Sequence, residues 1–127
     1  LLLVSDATVL GGSEPGQYKW GDIDVEVHPD GHLGLTGTEF LAGAGHLLDR
    51  GIAQVVGATG IMLGDAVQLC NVNPARLLGV PEPAIAPGAR ADLVAFDFRP
   101  GDQAISVLQT IAAGVVTYER EPARAGR

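Results

Sequence analysis

The sequence predicts a small α/β fold: a buried strand, then a β-hairpin, helices and a further set of antiparallel strands. Three observations support this order. An apolar run at Leu1–Val4 ends abruptly at Ser5 and Asp6, as strands buried on both faces do. Polar and apolar residues then alternate on either side of a Pro-Asp-Gly turn, and apolar residues recur at helical spacing further along the chain. After residue 92 the apolar period returns to that of strands.

Composition limits the classes of protein to which this chain can belong. It has 127 residues, of which 46% are hydrophobic and 18% charged, and its net charge is −7. A soluble domain usually has about a quarter of its residues charged, so this chain carries more apolar surface than it would cover alone. Its acidity argues against a nucleic-acid partner, and no apolar stretch reaches the roughly 18 residues of a membrane span. The single cysteine, Cys70, excludes an internal disulfide and predicts a reducing, cytoplasmic location.

The residues after Asp6 are predicted to form a loop and then a hairpin. The letters GGSEPGQYKWG have the composition of a glycine-rich loop. In DIDVEVHPDGHLGL, Ile23, Val25 and Val27 alternate with polar residues, which predicts a half-buried strand. Pro29–Gly31 supplies the turn, because its glycine accepts a positive φ.

Helical spacing follows the hairpin. Apolar residues recur every three or four positions over Leu41–Val56, and Thr38 or a neighbouring residue is predicted to cap a helix there. The letters GDAVQLCNVNPARLLGV predict two short helices with a break before Pro74. Asp65 is the expected N-cap of the first of these helices, and Gly79 is expected to close the second.

The last part of the chain is predicted to form strands. Leu93–Phe96 is the first of them, and the letters AISVLQTIAAG and VVTYER contain two more. Ala113 and Gly114 are expected to form the turn between these two strands. The residues from 121 to 127 are polar, and a frayed tail is expected there.

Single residues do not identify a function. His28 and His32 flank the hairpin turn and could face each other, but no third ligand accompanies them at a metal-binding spacing, so exposed turn histidines are predicted. His46 is expected within the helix, and Cys70 as a packed core thiol. Asp6 is open to two interpretations. An aspartate after a strand is commonly a turn or cap residue, but α/β enzymes place catalytic groups at the carboxyl ends of parallel strands.

Taken in order, however, the segments resemble one enzyme family. LVSDAT, the loop and hairpin, FLAGAG, NPARLLGV, IAPGARADLVAFD and TIAAGVVTY are together similar to the C-terminal third of the N-acetylglucosamine-6-phosphate deacetylases, which belong to the amidohydrolase superfamily. The similarity extends from Leu2 to Tyr118. NPARLLG and the letters that follow it are shared by many amidohydrolases. The letters SDAT, followed by a hairpin and then by LAG, are typical of the deacetylase branch.

The resemblance implies the C-terminal part of a (β/α)8 amidohydrolase barrel, with its last strand and helices, plus strands of a small β-sandwich domain. Residues 1–80 would form the end of the barrel, with Leu1–Val4 as its eighth strand and Thr38–Val56 as the region of the following helix. Residues 81–120 would supply the sandwich strands, and 121–127 a polar tail. A complete barrel takes about 250 residues, so we interpret the chain as part of a longer enzyme.

The resemblance also implies roles for particular residues. Asp6 matches the aspartate that ends strand eight, touches the metal site, takes a proton from the attacking water and delivers it to the leaving amine. Leu41, Ala42 and Gly43 lie where the family's loop contacts the sugar phosphate, largely through backbone groups; the alternative is the ordinary apolar start of a helix. The family's divalent metal, zinc or iron, is held by residues of earlier strands, so its ligands would lie mostly outside this chain.

The resulting hypothesis is a portion of a metal-dependent hydrolase that converts N-acetylglucosamine 6-phosphate to glucosamine 6-phosphate and acetate. This portion would be inactive without the N-terminal barrel portion, and the complete enzyme would be a homodimer. Its partners would be the amino-sugar phosphate and the N-terminal portion, with no nucleic acid and no membrane. Two alternatives stay open. One is another amidohydrolase that acts on a different N-acyl or cyclic amide; the other is a non-catalytic binding or assembly module in which Asp6 is only a turn residue.

Overall fold

A four-stranded antiparallel sheet, three helices and a three-stranded antiparallel sheet follow one another along the chain. The computed structural model describes residues 1–121. The first sheet has the order β1-β2-β3-β4, with β1 Gly16–Trp20, β2 Ile23–Val27, β3 Leu33–Leu35 and β4 Leu41–Gly43. The helices are α1 Leu48–Thr59, α2 Leu63–Cys70 and α3 Val72–Leu78. The second sheet has the order β5-β6-β7, with β5 Leu93–Asp97, β6 Ser106–Ala112 and β7 Val115–Glu119. These elements confirm the α/β class, while their assignment to a barrel and a sandwich stays a prediction.

The predicted hairpin is confirmed and carries the core of the first sheet. Val25 and Leu33 are completely buried and Val27 almost so, because residues two apart on a strand share one face. Val27 pairs with Leu33 across the turn, and Gly31 has a φ of 87°. Three further side chains pack against this core: Leu10, Tyr18 and Ala42.

The glycine-rich segment contains a strand that the sequence analysis placed in a loop. β1 pairs with β2 in antiparallel register, from Gly16 opposite Val27 to Trp20 opposite Ile23. Gly21, with a φ of 61°, lies in the turn between them. The prediction of a loop is wrong here because the strand is stabilised by hydrogen bonds to its neighbour, which the composition of a short segment does not reveal.

The helix predicted over Thr38–Val56 begins only at Leu48. The residues before it form β4, which pairs with β3, and His46 lies in the connection rather than in the helix. Gly43 has a φ of 120°, which a helix does not contain, and glycine residues weaken helices by about 1 kcal/mol each. Pairing with β3 satisfies backbone groups that a helix would otherwise have to satisfy.

Two predicted helix caps are also wrong, and a third is confirmed. The Thr38 hydroxyl donates to the Leu35 carbonyl at 2.9 Å in a turn and caps no helix. Asp65 lies in the first turn of α2, whose N-cap is Met62; an acid there still interacts favourably with the helix dipole. Gly79 closes α3 in the left-handed conformation, with a φ of 66°, as predicted.

The strand predicted at Leu1–Val4 is not paired into a sheet. The described residues provide no strand beside it, and an extended segment without a neighbour forms no ladder. Leu1 is 93% exposed rather than buried. The segment lies along the helices instead: the Leu3 N–H donates to the Leu69 carbonyl at 3.0 Å, and Asn73 Nδ2 donates to the Leu1 carbonyl at 2.8 Å.

The predicted C-terminal strands are confirmed. β6 lies between β5 and β7 and pairs antiparallel with both. Ala113 and Gly114 form the predicted turn, with φ values of 49° and 83°. The Asp92 carboxylate accepts the Ala113 N–H at 2.7 Å, which lowers the pKa of Asp92 first of all, and Arg90 lowers it further. Of the predicted tail, residues 122–127 lie outside the described residues.

None of the helices in the described part of the chain is long and apolar enough to cross a membrane.

Candidate functional site

Asp6 occupies a tight turn at the end of the N-terminal segment. Its φ is 51°, in the left-handed region that side chains other than Asn and Asp rarely adopt. Ser5 Oγ accepts the Ala7 N–H at 3.2 Å and closes the turn. Asp6 itself is exposed. A strained backbone that holds an exposed carboxylate is common at functional sites, although an ordinary turn can also hold an aspartate.

The Asp6 turn lies directly against the end of β4. Ala7 forms a parallel bridge with Ala44, and the Thr8 N–H donates to the Ala44 carbonyl at 3.1 Å. Further along, the Gly12 N–H donates to the Gly45 carbonyl, also at 3.1 Å. These contacts bring together the two segments to which the family resemblance assigned roles, although they are far apart in the sequence.

The three residues predicted to contact a sugar phosphate form this same strand. Leu41 and Gly43 are exposed, whereas Ala42 is half-buried and packs against the core of the first sheet. They form a strand rather than the start of a helix, so the alternative of an apolar helix start is wrong. Since β4 is the last strand in its sheet, it is an edge strand with backbone groups that the sheet leaves unpaired.

Thr8 packs on Gly43, where the Asp6 turn and β4 meet. A Cβ placed on Gly43 would overlap the γ-methyl of Thr8. Thr8 Oγ1 is buried and has no hydrogen-bond partner among residues 1–121. The sequence analysis did not identify Thr8. The available signal was the close pair Gly43 and Gly45, because glycine within a strand region often marks a close backbone approach.

The hairpin turn rests on the connection that follows β4. A Cβ on Gly45 would overlap the Gly31 carbonyl oxygen. Only glycine therefore allows these two segments of the chain to approach so closely. Arg50 Nη1 donates to the Asp30 carbonyl at 3.3 Å. The hairpin therefore supports the region between β4 and α1 from the side.

All three histidines gather at this turn. The rings of His28 and His32 stack with centroids 3.8 Å apart and planes 10° apart, and both residues are half-buried rather than exposed as predicted. A Cβ on Gly31 would lie 2.5 Å from the His46 ring. The His32 N–H and ring both contact the Asp30 carboxylate and hold the pKa of Asp30 below its usual value, the backbone N–H contributing most.

The described residues do not form a metal centre by themselves. No group of three or more histidine, cysteine, aspartate or glutamate side chains within residues 1–121 could hold a metal ion. Cys70 is a free, half-buried thiol whose pKa is raised by burial. A raised pKa lowers the fraction of thiolate, which is the form that acts as a nucleophile. Within residues 1–121, Asp6 is the one acidic residue that lies in a strained turn next to an edge strand.

Comparisons with known proteins agree on one family. Residues 26–118 match the amidohydrolase family. The N-acetylglucosamine-6-phosphate deacetylase of Rattus norvegicus is 31% identical over 126 residues, which cover 97% of this chain and 29% of that protein. An N-acetylgalactosamine-6-phosphate deacetylase of Escherichia coli is 31% identical over 99 residues, which cover 76% of this chain and 26% of that protein. The chain therefore spans less than a third of the length of these two relatives, and 58% of the length of a further curated relative from Escherichia coli strain K12.

Solved structures give the same result. N-acetylglucosamine-6-phosphate deacetylase from Thermotoga maritima superimposes with a TM-score of 0.75 at 29% identity, over 94% of this chain and 31% of that chain. An aspartate-to-alanine mutant of the Mycobacterium smegmatis enzyme, in complex with N-acetyl-D-glucosamine-6-phosphate, superimposes with a TM-score of 0.71 at 34% identity. That match covers 91% of this chain and 30% of the other.

Proposed function

This chain belongs to the amidohydrolase family, and we propose that it is the part of an amino-sugar-phosphate deacetylase that supplies the acid–base aspartate. The reaction would be the hydrolysis of N-acetylglucosamine 6-phosphate to glucosamine 6-phosphate and acetate. The proposal is carried by the contact between the Asp6 turn and β4, made through the bridge of Ala7 to Ala44. That contact would put a proton-transfer group beside an edge strand whose backbone could bind the substrate.

Amide hydrolysis needs an activated water, a polarised carbonyl and a protonated leaving amine. In the complete enzyme a divalent metal, zinc or iron, would supply the polarisation, with ligands mostly outside this chain. The Asp6 carboxylate would accept a proton from the attacking water and pass it to the leaving nitrogen. Its left-handed turn would fix the direction in which the side chain leaves the backbone, since the Ser5 hydroxyl and the bridge to Ala44 restrain the backbone on its C-terminal side.

The edge of β4 would contribute to the binding of the sugar phosphate. Backbone N–H groups are good partners for phosphate oxygens, and Leu41 and Gly43 are exposed on an edge strand. Alanines stand at positions 42 and 44, so these two side chains have no hydroxyl with which to bind a phosphate. Binding here would therefore depend on the backbone of Leu41, Ala42 and Gly43.

The test is the Asp6→Asn substitution in the full-length protein that contains this chain. Asparagine keeps the size and much of the hydrogen bonding but cannot carry the proton. We expect kcat for N-acetylglucosamine 6-phosphate to fall about 10²–10⁴-fold, with metal content and substrate affinity retained. The control is Asp22→Asn, which changes an exposed aspartate in the β1–β2 turn and should leave kcat unchanged.

Two other results would change the assignment of Asp6. A variant that keeps more than about a tenth of wild-type kcat would show that Asp6 is only a turn residue, as in the non-catalytic module. Loss of metal together with activity would show that Asp6 is a principal metal ligand. We further propose that the complete enzyme is a homodimer and that it is located in the cytoplasm. The free thiol of Cys70 is compatible with that location.

A second candidate substrate is the C4 epimer, N-acetylgalactosamine 6-phosphate. It is supported by the Escherichia coli relative, which is as similar in identity as the rat enzyme. Measurement of kcat/KM for both epimers separates the two, and we expect the higher value for N-acetylglucosamine 6-phosphate. Hydrolysis of neither would favour an amidohydrolase that acts on another N-acyl or cyclic amide.

A further inference from the structure

We propose that Thr8 is a positioning residue, whose γ-methyl group fixes the Asp6 turn against β4. Thr8 packs on Gly43 through this methyl group, and its N–H donates to the Ala44 carbonyl. The inference rests on the proposed function, because it assigns this contact to the alignment of the proton-transfer group with the substrate-binding strand.

Thr8 is well placed to transmit a displacement to Asp6. Only Ala7 separates the two residues, and the Ala7 N–H is itself bonded to the Ser5 hydroxyl. Ala7 also bridges to Ala44, so two adjacent residues of the stretch from Ser5 to Thr8, Ala7 and Thr8, are attached to the residue that directly follows β4. A shift of Thr8 relative to Gly43 therefore moves the turn that orients the Asp6 carboxylate.

The methyl group, rather than the hydroxyl, makes the contact. Gly43 combines a φ of 120° with a surface from which Cβ is excluded by the Thr8 methyl, so the two residues are complementary in shape. The Thr8 hydroxyl is buried with no partner among residues 1–121, and a buried hydroxyl without a hydrogen bond is unfavourable. Valine at this position would keep the contact and remove the unfavourable group.

The experiment compares two substitutions in the full-length protein. Thr8→Ser removes the methyl and keeps the hydroxyl, whereas Thr8→Val keeps a methyl in its place and removes the hydroxyl. We expect Thr8→Ser to lower kcat/KM at least about tenfold, because a misplacement of about 1 Å can cost 10²-fold in rate. Thr8→Val should keep kcat/KM within about threefold of the wild-type value, because it keeps the methyl contact that positions the Asp6 turn.

A matched control is offered by Thr36, whose Oγ1 is likewise buried without a partner within the described range. Thr36 follows β3 in the first sheet, and its N–H donates to the Asp24 carbonyl. Thr36→Ser removes the corresponding γ-methyl group at a position that is not packed on Gly43. We expect thermal stability to fall similarly in Thr36→Ser and Thr8→Ser, but kcat/KM to fall in Thr8→Ser alone.

Amide hydrogen exchange supplies a readout that does not depend on activity. The Thr8 and Gly12 N–H groups bond to the carbonyls of Ala44 and Gly45, so both should exchange faster in Thr8→Ser and at the wild-type rate in Thr8→Val. If wild-type protein hydrolysed neither amino-sugar phosphate, the proposed function would fail, and exchange alone would decide the role of Thr8.

Three results would overturn the proposal. Unchanged amide exchange in Thr8→Ser would show that the methyl does not hold the two segments together. Unchanged kcat/KM in Thr8→Ser, in an active enzyme, would show that the contact does not serve catalysis. A larger loss of kcat/KM in Thr8→Val than in Thr8→Ser would show that the hydroxyl acts directly on substrate or metal.

Discussion

Asp30 uses both its carboxylate and its backbone carbonyl to hold the hairpin turn in contact with its surroundings. Its carboxylate accepts the His32 N–H at 3.2 Å and lies 2.6 Å from the His32 ring nitrogen, while its own carbonyl accepts a hydrogen bond from Arg50. The two contacts from His32, the backbone N–H first, favour the ionised carboxylate, so the pKa of Asp30 is held below its usual value of 3.8.

The lowered pKa predicts how stability depends on pH. A carboxyl whose pKa is lower in the folded state contributes stability above its unfolded pKa and loses it as the pH falls through the folded pKa. Asp30→Asn should therefore lower Tm at neutral pH, with a smaller difference from wild type below about pH 4. Thermal unfolding measured across this range tests the prediction. A difference in Tm that stayed constant with pH would contradict it.

At the scale of elements, the pairing of β2 with β3 carries the core of the first sheet. Leu33 is completely buried between Val25 and Val27 and their neighbours, whereas Leu35 on the same strand is half-buried. Leu33→Ala should destabilise the protein by about 2–5 kcal/mol, through lost transfer energy and a residual cavity. Leu35→Ala is the matched control and should cost clearly less. Denaturant unfolding measures both, and equal losses would show that the core lies elsewhere.

Elements whose signal is local could be predicted from the sequence. Val25 and Val27 alternate with acids and end at a turn around Gly31, so period and turn chemistry agree on a hairpin. The strands near Ala113 and Gly114 were predictable for the same reason. β4 was not, because its apolar residues also fit a helical period and its true stabilisation comes from pairing with Leu33 and Gly34. Partners distant in sequence decide such segments.

The candidate site likewise has features with a local sequence signal and features that depend on distant partners. The place of Asp6 after an apolar run made it a candidate, and the family resemblance alone implied its catalytic role, but its contact with the end of β4 did not follow from any local pattern. That contact consists of one bridge and one hydrogen bond to Ala44, across a separation of more than thirty residues. The role we propose for Thr8 depends on a buried methyl group against Gly43, and no spacing rule indicates such a contact.

At the scale of the whole molecule, apolar side chains remain exposed on the helices, on the second sheet and in the connection between them. Leu77 is 71% exposed, Ile85 92% and Val115 65%. Leu1, Leu2 and Leu77 are among the residues that line a groove at α3. Exposed apolar surface of this kind and open sheet edges both favour association. The helices and the second sheet therefore have the surfaces of elements that pack against further protein.

The exposed apolar surface predicts how this chain behaves by itself. Produced alone, the 127-residue chain should self-associate, because burial of apolar area stabilises by about 25 cal/mol per Å² and the helices leave such area uncovered. Co-expression with the N-terminal portion of the longer enzyme that we propose should instead give a complex of defined mass. Light scattering and thermal unfolding of both samples test this. A monomer at high concentration with a cooperative transition would favour the binding module, because a chain that folds alone needs no partner to cover Leu77 and Val115.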